Sequence, residues 1–116
     1  MPAKDSALTI NRALRSVLRA LPNDSEVAIW DDGSSDGTAE VASSVQDRRV
    51  RVIRSEENIG GGAARRRLMS LTDSAYIASM DADDVCAPWR FRQQLTLTAT
   101  ADIVFTGMVR FTGRGR

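Results

Sequence analysis

The chain has 116 residues, enough for one domain with a hydrophobic core and too few for two. Its hydrophobic share of 42% and charged share of 27% are ordinary for a globular protein, and its net charge of +1 argues against a nucleic-acid partner. The absence of histidine and the single cysteine exclude histidine-dependent hydrolases, an internal disulfide and metal sites built from cysteine or histidine. Any bound metal would therefore need oxygen ligands, which favours Mg²⁺, Mn²⁺ or Ca²⁺.

The first half of the chain alternates between helical and extended apolar patterns. Apolar residues recur mostly every three or four positions over residues 5–21, which predicts an amphipathic helix. The short apolar run at 27–30 predicts a buried strand, and a polar loop containing two glycines follows it. The next two elements are predicted to be a helix over 38–45 and a strand over 50–53.

The second half continues the same alternation. After a glycine-rich loop we predict a helix over 63–71, a strand over 75–80, a helix over 88–98 and a strand over 103–106. Residues 1–111 are expected to form one domain, with a flexible tail over 112–116. Alternating helices and strands predict an α/β fold with a mostly parallel sheet flanked by helices. In such sheets ligands bind beyond the carboxyl ends of the strands.

Acidic side chains are concentrated directly after two of the predicted strands. Asp31 and Asp32 open the sequence D-D-G-S-S-D-G-T after the strand at 27–30. Adjacent carboxylates repel each other unless something binds there, so this loop indicates a ligand site. Asp81 and Asp83 follow the strand at 75–80, and carboxylates at this spacing can hold Mg²⁺ or Mn²⁺ together with phosphate oxygens. A cation at this position would neutralise a diphosphate and stabilise it as a leaving group.

Three motifs occur in a fixed order: the D-D-G-S-S-D-G-T loop, the segment N-I-G followed by A-R, and D-A-D-D. Together they resemble the donor-binding half of the inverting nucleotide-sugar glycosyltransferases, the family that includes cellulose, chitin and hyaluronan synthases. The resemblance runs from Pro2 to about Leu95. It implies a Rossmann-like nucleotide-diphospho-sugar transferase domain. The implied ligands are a nucleotide-sugar donor, an acceptor hydroxyl, and Mn²⁺ or Mg²⁺. The favoured donor is a UDP-sugar.

The resemblance also implies roles for residues at the first two strands. The backbone at Pro2 and Ala3 would lie against the nucleotide. Asp31 would accept a hydrogen bond from the base, typically uracil, and Asp32 would support Asp31 in that role. These four positions would then form the nucleoside side of the donor site.

The remaining implied positions lie further along the chain. Arg65, in the A-R pair, would lie near the nucleotide. Asp81 would contact the ribose or the metal, and Asp83 would ligate the metal. No residue is assigned as the base that activates an acceptor, because Asp102 is the only acid after Asp84 and belongs to a plain loop.

Compared with the family pattern, the chain is expected to be truncated at both ends. The pattern begins with a hydrophobic strand before Pro2, where this chain has only Met1, and it continues into an acceptor half. We expect a sheet whose first strand is replaced by one from residues 104–105 or 108–111, or from a second copy. A second copy would give a homodimer through strand exchange. By itself the chain is expected to bind nucleotide weakly and to show no turnover.

Two other functions stay open on the sequence alone. One is a non-catalytic module that retains the transferase motifs. The other is a phosphatase of the haloacid dehalogenase type, with Asp81 as nucleophile and Asp83 as acid, although the only lysine, Lys4, lies upstream of this motif. Residues 1–5 lack a secretory signal and no stretch approaches the roughly 18 apolar residues of a membrane span. We therefore expect a cytoplasmic location, with the inner face of the membrane as the alternative.

Overall fold

The computed structural model describes residues 1–109, which form a three-stranded sheet and four helices. The strand order is β1-β2-β3 and both strand pairs are parallel. This arrangement confirms the predicted α/β fold with a parallel sheet. The elements are, in chain order, β1 (Pro2–Ala3), α1 (Ile10–Ala20), β2 (Val27–Asp32), α2 (Thr38–Ser43), β3 (Val50–Ser55), α3 (Gly61–Met69) and α4 (Arg90–Leu97).

β2 lies at the centre of the sheet. Its residues Val27 and Ile29 are buried in the core, as expected for β-branched side chains on a pleated, covered strand. All six residues of β2 pair with β3, so the ladder ends at Asp31 and Asp32. β2 therefore runs two residues beyond its predicted end at Trp30, and both aspartates are the last strand residues rather than the first loop residues.

α1 packs against the sheet through one apolar face, because its apolar residues recur at helical spacing. The helix begins at Ile10 and not near Asp5 as predicted, since residues 4–7 bond to the loop after β2 instead. Leu8, in the segment before the helix, is fully exposed. The buried face of α1 consists of Ile10, Ala13, Leu14, Val17 and Ala20.

β1, a two-residue strand, occupies the position beside β2 at which we expected a strand from residues 104–105 or 108–111 or from a second copy. Pro2 and Ala3 pair with Trp30 and Asp31 of β2, and Ala3 is buried in the core. The amino group of Met1 donates to the Ala28 carbonyl at 2.8 Å, which extends the contact by one residue. The chain thus fills this position beside β2 with its own residues. Exchange of strands between two copies stays a prediction.

The strands predicted at 75–80 and 103–106 do not form within residues 1–109. A strand needs a row of backbone partners, and β1, with two residues, offers too few on its outer edge to hold a further six-residue strand. Apart from the buried Met80, the apolar side chains of both segments stay largely exposed, for example Ile77 at 54% and Phe105 at 89%. The proposed pairing segment 108–111 lies partly outside the described residues, and the predicted tail at 112–116 lies wholly outside them.

The second half of the chain is held to the first by a few buried side chains. Met80, Ala82, Cys86 and Phe91 belong to the same core cluster as α1, β1 and β2. The Cys86 amide also donates to the Ser16 hydroxyl of α1 at 2.9 Å. Burial raises the pKa of the Cys86 thiol, as expected for a small packing residue. Within residues 1–109, every helix is too short or too polar to cross a bilayer.

Acid is expected to destabilise the fold partly through Asp47, just before β3. Its carboxylate accepts hydrogen bonds from the side chain and the amide of Arg49, and these contacts lower its pKa from 3.8 to about 2. A depressed pKa means that the contribution is present above the unfolded value and is lost as the pH falls through 3.8 towards 2. Asp47→Asn should therefore flatten the fall of the urea midpoint between about pH 5 and pH 2. The exposed Asp24→Asn control should keep it steep, and equal slopes for both variants would contradict the prediction.

Candidate functional site

The loops that follow β1 and β2 are fastened to each other at the carboxyl end of the sheet. The Lys4 ammonium donates to the Gly33 carbonyl at 2.6 Å, and the Asp5 amide donates to the Ser34 hydroxyl at 2.9 Å. In return, the Asp5 carboxylate accepts from the Ser35 amide at 2.9 Å, a bond that contributes most to the lowering of the Asp5 pKa. The parallel pairing of β1 and β2 brings these loops together, since both strands end at the same edge.

Asp36 serves the same junction. One carboxylate oxygen accepts from the Thr38 amide at 3.0 Å and the other from the Ala7 amide at 2.9 Å. The Thr38 hydroxyl, itself bonded to Asp36, accepts from the Ser6 amide at 2.8 Å. The bond from the Thr38 hydroxyl is the largest cause of the lowered pKa of Asp36. The third aspartate of the D-D-G-S-S-D-G-T loop therefore has a structural role at the start of α2.

Asp31, the first aspartate of the loop motif, is 2% exposed. One of its oxygens accepts from the Ser34 amide at 3.1 Å, and the other lies 3.8 Å from Nε of Arg54. Arg54 is 60% exposed on its side chain and also pairs with Glu40 of α2 at 2.7 Å. Sequence reasoning missed Arg54, although the residue follows the predicted strand at 50–53 and a parallel register would have placed it beside Asp31.

Asp32 is equally buried, at 3% exposure, and has different partners. Its two oxygens accept from the amides of Ile59 and Gly60 at 2.9 and 2.8 Å, and the Trp30 indole lies 3.3 Å from the first of them. Successive strand residues point to opposite faces, so Asp31 and Asp32 find separate donors. The expectation that a ligand is needed to hold two adjacent carboxylates is therefore wrong, because each has its own protein donors.

Arg65 and Asp81 are brought together as a direct ion pair between α3 and the D-A-D-D segment. Both side chains are about half exposed, so the pair is accessible from solvent. The amino group of Met1 is close enough to sense both charges. Burial, followed by the Arg65 charge, lowers the pKa of this amino group to about 6, while Asp81 acts in the opposite direction. The start of β1, α3 and Asp81 thus adjoin.

Asp83 lies two residues beyond Asp81 and is exposed. Met80, just before the two acids, and Ala82, between them, are both buried, so both carboxylates face outwards from the core. Arg90 of α4 holds this segment through the Ser79 carbonyl at 2.9 Å, a contact that sequence reasoning also missed.

The acidic side chains of the D-A-D-D segment have the oxygen donors that Mg²⁺ and Mn²⁺ prefer. Within residues 1–109, however, no three acidic, cysteine or histidine side chains converge as a ready metal site. A cation held by Asp81 and Asp83 would therefore need further oxygen ligands from outside the described side chains.

The structure places four sequence-predicted positions at the adjoining ends of β1 and β2: Pro2, Ala3, Asp31 and Asp32. Arg65 and Asp81 are paired with each other, and Asp83, two residues after Asp81, is exposed. Two open grooves, of about 670 and 700 Å³, have none of these residues in their linings. The candidate site is therefore not one of these grooves. It consists of the ends of β1 and β2 together with the charged side chains of Arg65, Asp81 and Asp83.

Comparison with known proteins identifies the family. The sequence profile of the family described as glycosyl transferase family 2 matches residues 1–115. The chain is 44% identical over 96 residues to the succinoglycan biosynthesis protein ExoU of Rhizobium meliloti strain 1021, an alignment that covers 81% of this chain and 28% of ExoU. It is 27% identical over 105 residues to the Escherichia coli protein named UDP-Glc:alpha-D-GlcNAc-diphosphoundecaprenol beta-1,3-glucosyltransferase WfgD, covering 90% of this chain and 42% of WfgD.

A third relative is the chondroitin synthase of Pasteurella multocida strain Pm70, which is 36% identical over 89 residues. That alignment covers 76% of this chain and 9% of the synthase, so the chain spans less than half the length of each of these relatives. The comparisons give no support to a phosphatase. They show a family wider than the group of cellulose, chitin and hyaluronan synthases that the motifs resemble. The chain belongs to glycosyl transferase family 2.

Proposed function

We propose that this chain binds the donor of a sugar-transfer reaction, a UDP-sugar, together with Mn²⁺ or Mg²⁺. In the whole protein the sugar would pass to an acceptor hydroxyl with inversion at the anomeric carbon. The observation that carries the proposal is the placement of the acidic motifs around β1: Asp31 and Asp32 close the neighbouring strand β2 at its carboxyl end, and the Arg65–Asp81 pair lies near the Met1 amino group at the start of β1. Two relatives also have UDP-Glc in their names.

The nucleoside would bind at the ends of β1 and β2. The Asp31 oxygen near Arg54 accepts no hydrogen bond from the Arg54 side chain at their 3.8 Å separation, so it retains the capacity to accept one from a base N–H. Uracil offers such a donor at N3. Arg54 covers this oxygen with an exposed side chain, which can move aside for the base. The backbone of Pro2 and Ala3 would form the neighbouring wall, and Asp32, the next residue of β2, would support Asp31 indirectly by fixing the end of the strand.

The diphosphate would bind at the D-A-D-D segment. Asp83 would hold the cation, with Asp81 as a second ligand or as the partner of the ribose. When bound, the cation would neutralise the charge that develops on the departing diphosphate. Arg65 would add a positive charge beside it, since its guanidinium is half exposed and already held at Asp81.

We also propose that the protein lies in the cytoplasm, at the inner face of the membrane, because nucleotide sugars are available there. The support is the name of WfgD, which contains diphosphoundecaprenol as the carrier of its substrate. A lipid-linked acceptor would require the donor site to work next to the bilayer.

Calorimetric titration of the 116-residue chain with UDP tests the proposal. We expect heat of binding when Mn²⁺ is present and little or none when EDTA replaces it, because Asp83 would hold the cation that offsets the charge of the diphosphate. Uridine without phosphates serves as the matched control and should show no dependence on Mn²⁺. Equal heats for UDP with and without Mn²⁺ would contradict the metal-bridged site, and the absence of heat under both conditions would contradict donor binding.

A further inference from the structure

We propose that Asp32 is a positioning residue that holds the turn at residues 58–60. Through that turn it fixes the position of α3 and Arg65 relative to the proposed donor site. The inference rests on the proposed function for the identity of the donor. It assigns Asp32 a different task from Asp31, with which it shares the motif. Asp31 would meet the base, whereas Asp32 would organise the protein around the diphosphate.

The hydrogen bonds of Asp32 connect the end of β2 to the turn at residues 58–60. Its carboxylate is 3% exposed, and each oxygen accepts one backbone hydrogen bond, from Ile59 at 2.9 Å and from Gly60 at 2.8 Å. The Trp30 indole approaches the first oxygen at 3.3 Å. The carboxylate supplies one acceptor for each of the two backbone donors, and the Gly60 amide is shared with the Asn58 side-chain oxygen at 3.0 Å. An asparagine would keep one acceptor and would turn an NH₂ group towards the other N–H.

The backbone on both sides of this contact is built for close approach. Gly33, directly after Asp32, has a φ of +72°, and a Cβ there would lie 3.2 Å from the Glu57 carbonyl carbon and 3.3 Å from the Asn58 nitrogen. The turn therefore lies directly against the end of β2. Gly60 has a φ of +84°, a left-handed conformation that lets the chain enter α3 from the turn.

The position of Gly60 is passed on to Arg65 through the first turn of α3. The Gly60 carbonyl accepts from the Ala64 amide at 2.9 Å, and Ala64 is fully buried against the sheet. Arg65 is the next residue, and its guanidinium is paired with Asp81. A chain of contacts thus leads from the buried carboxylate of Asp32 to the half-exposed charges proposed to meet the diphosphate.

Asp32→Asn in the full chain tests the inference with two readouts. The first is amide hydrogen exchange of Ile59 and Gly60, measured by NMR and compared with amides of the β2–β3 ladder. We expect exchange of at least one of these two amides to accelerate about tenfold or more relative to the ladder, as for the loss of a hydrogen bond to a charged group. The second is affinity for UDP with Mn²⁺, which should fall by about threefold to tenfold. Asp47→Asn is the matched control, because Asp47 also accepts a backbone amide but lies at the opposite end of β3.

Each outcome decides the inference. Unchanged exchange of both Ile59 and Gly60 in Asp32→Asn would overturn it, and so would faster exchange with unchanged UDP affinity, since the turn would then have no link to the donor. If the wild-type chain binds no UDP, the proposed function and this link fail together, while the exchange data still decide whether Asp32 holds the turn. If Asp32→Asn does not fold, wild-type exchange decides: Ile59 must exchange more slowly than Gly62, whose amide lies in the first turn of α3 without an intrahelical acceptor.

Discussion

Asp83→Asn is expected to weaken the Mn²⁺-dependent binding of UDP by about tenfold or more, because a charge-assisted contact contributes about 1.5–3 kcal/mol. The substitution keeps the shape of the side chain and removes the negative charge that would hold the cation. Asp83 is exposed, so its loss should leave the free energy of unfolding nearly unchanged. Calorimetric titration with UDP at saturating Mn²⁺ measures the affinity, and urea unfolding measures the stability.

The neighbouring Asp84 provides a matched control for Asp83. It is also an exposed aspartate of the D-A-D-D segment, and Asp84→Asn makes the same change in net charge. We expect this variant to bind UDP as the wild type does, since the alternation of buried and exposed residues directs Asp81 and Asp83 outwards together. Equal losses in both variants would mean that the segment acts only through its total charge, and the assignment of Asp83 as a metal ligand would be wrong.

Leu14→Ala is expected to lower the free energy of unfolding by about 3 kcal/mol, within the usual range of about 2–5 kcal/mol for a buried leucine. Leu14 is fully buried in the middle of α1 and belongs to the core cluster that includes β1, β2 and Met80. Its truncation leaves a cavity that these elements cannot easily close, because each is held by its own hydrogen bonds. Urea unfolding followed by circular dichroism measures the loss.

Leu8→Ala makes the same chemical change at a fully exposed position six residues earlier. The free energy of unfolding should then change by less than about 0.5 kcal/mol. A similar loss in both variants would show that the effect comes from the unfolded chain or from helix propensity rather than from the core. A loss in Leu14→Ala below about 1 kcal/mol would contradict the packing of α1 on the sheet.

The features that could be predicted are those that depend on nearby residues. The periodic apolar face of α1 and the apolar runs of β2 and β3 each require only a short stretch of sequence, and all three are present. The placement of Asp31 and Asp32 at the carboxyl end of a central strand followed from the same runs. The resemblance of the motifs led to glycosyl transferase family 2, although the group first named was narrower than the family shown.

The features that could not be predicted depend on which segments meet. The stretch at 75–80 has the composition of a strand, yet a strand forms only beside an edge with enough free backbone groups, and β1 has two residues. Two adjacent aspartates looked like a ligand site, because nothing in the local sequence shows that Asp32 finds Ile59 and Gly60 or that Arg54 lies beside Asp31.

From the amino-acid sequence alone came the α/β class, the periodic faces of its main elements and the family-like order of acidic motifs, since each is written in residues close together in the chain. Only the tertiary structure decided which protein donors each of the two adjacent carboxylates meets. These donors come from distant positions in the chain. The packing of α3 and the register of β3 bring some of them within hydrogen-bond distance of a carboxylate and leave others outside it.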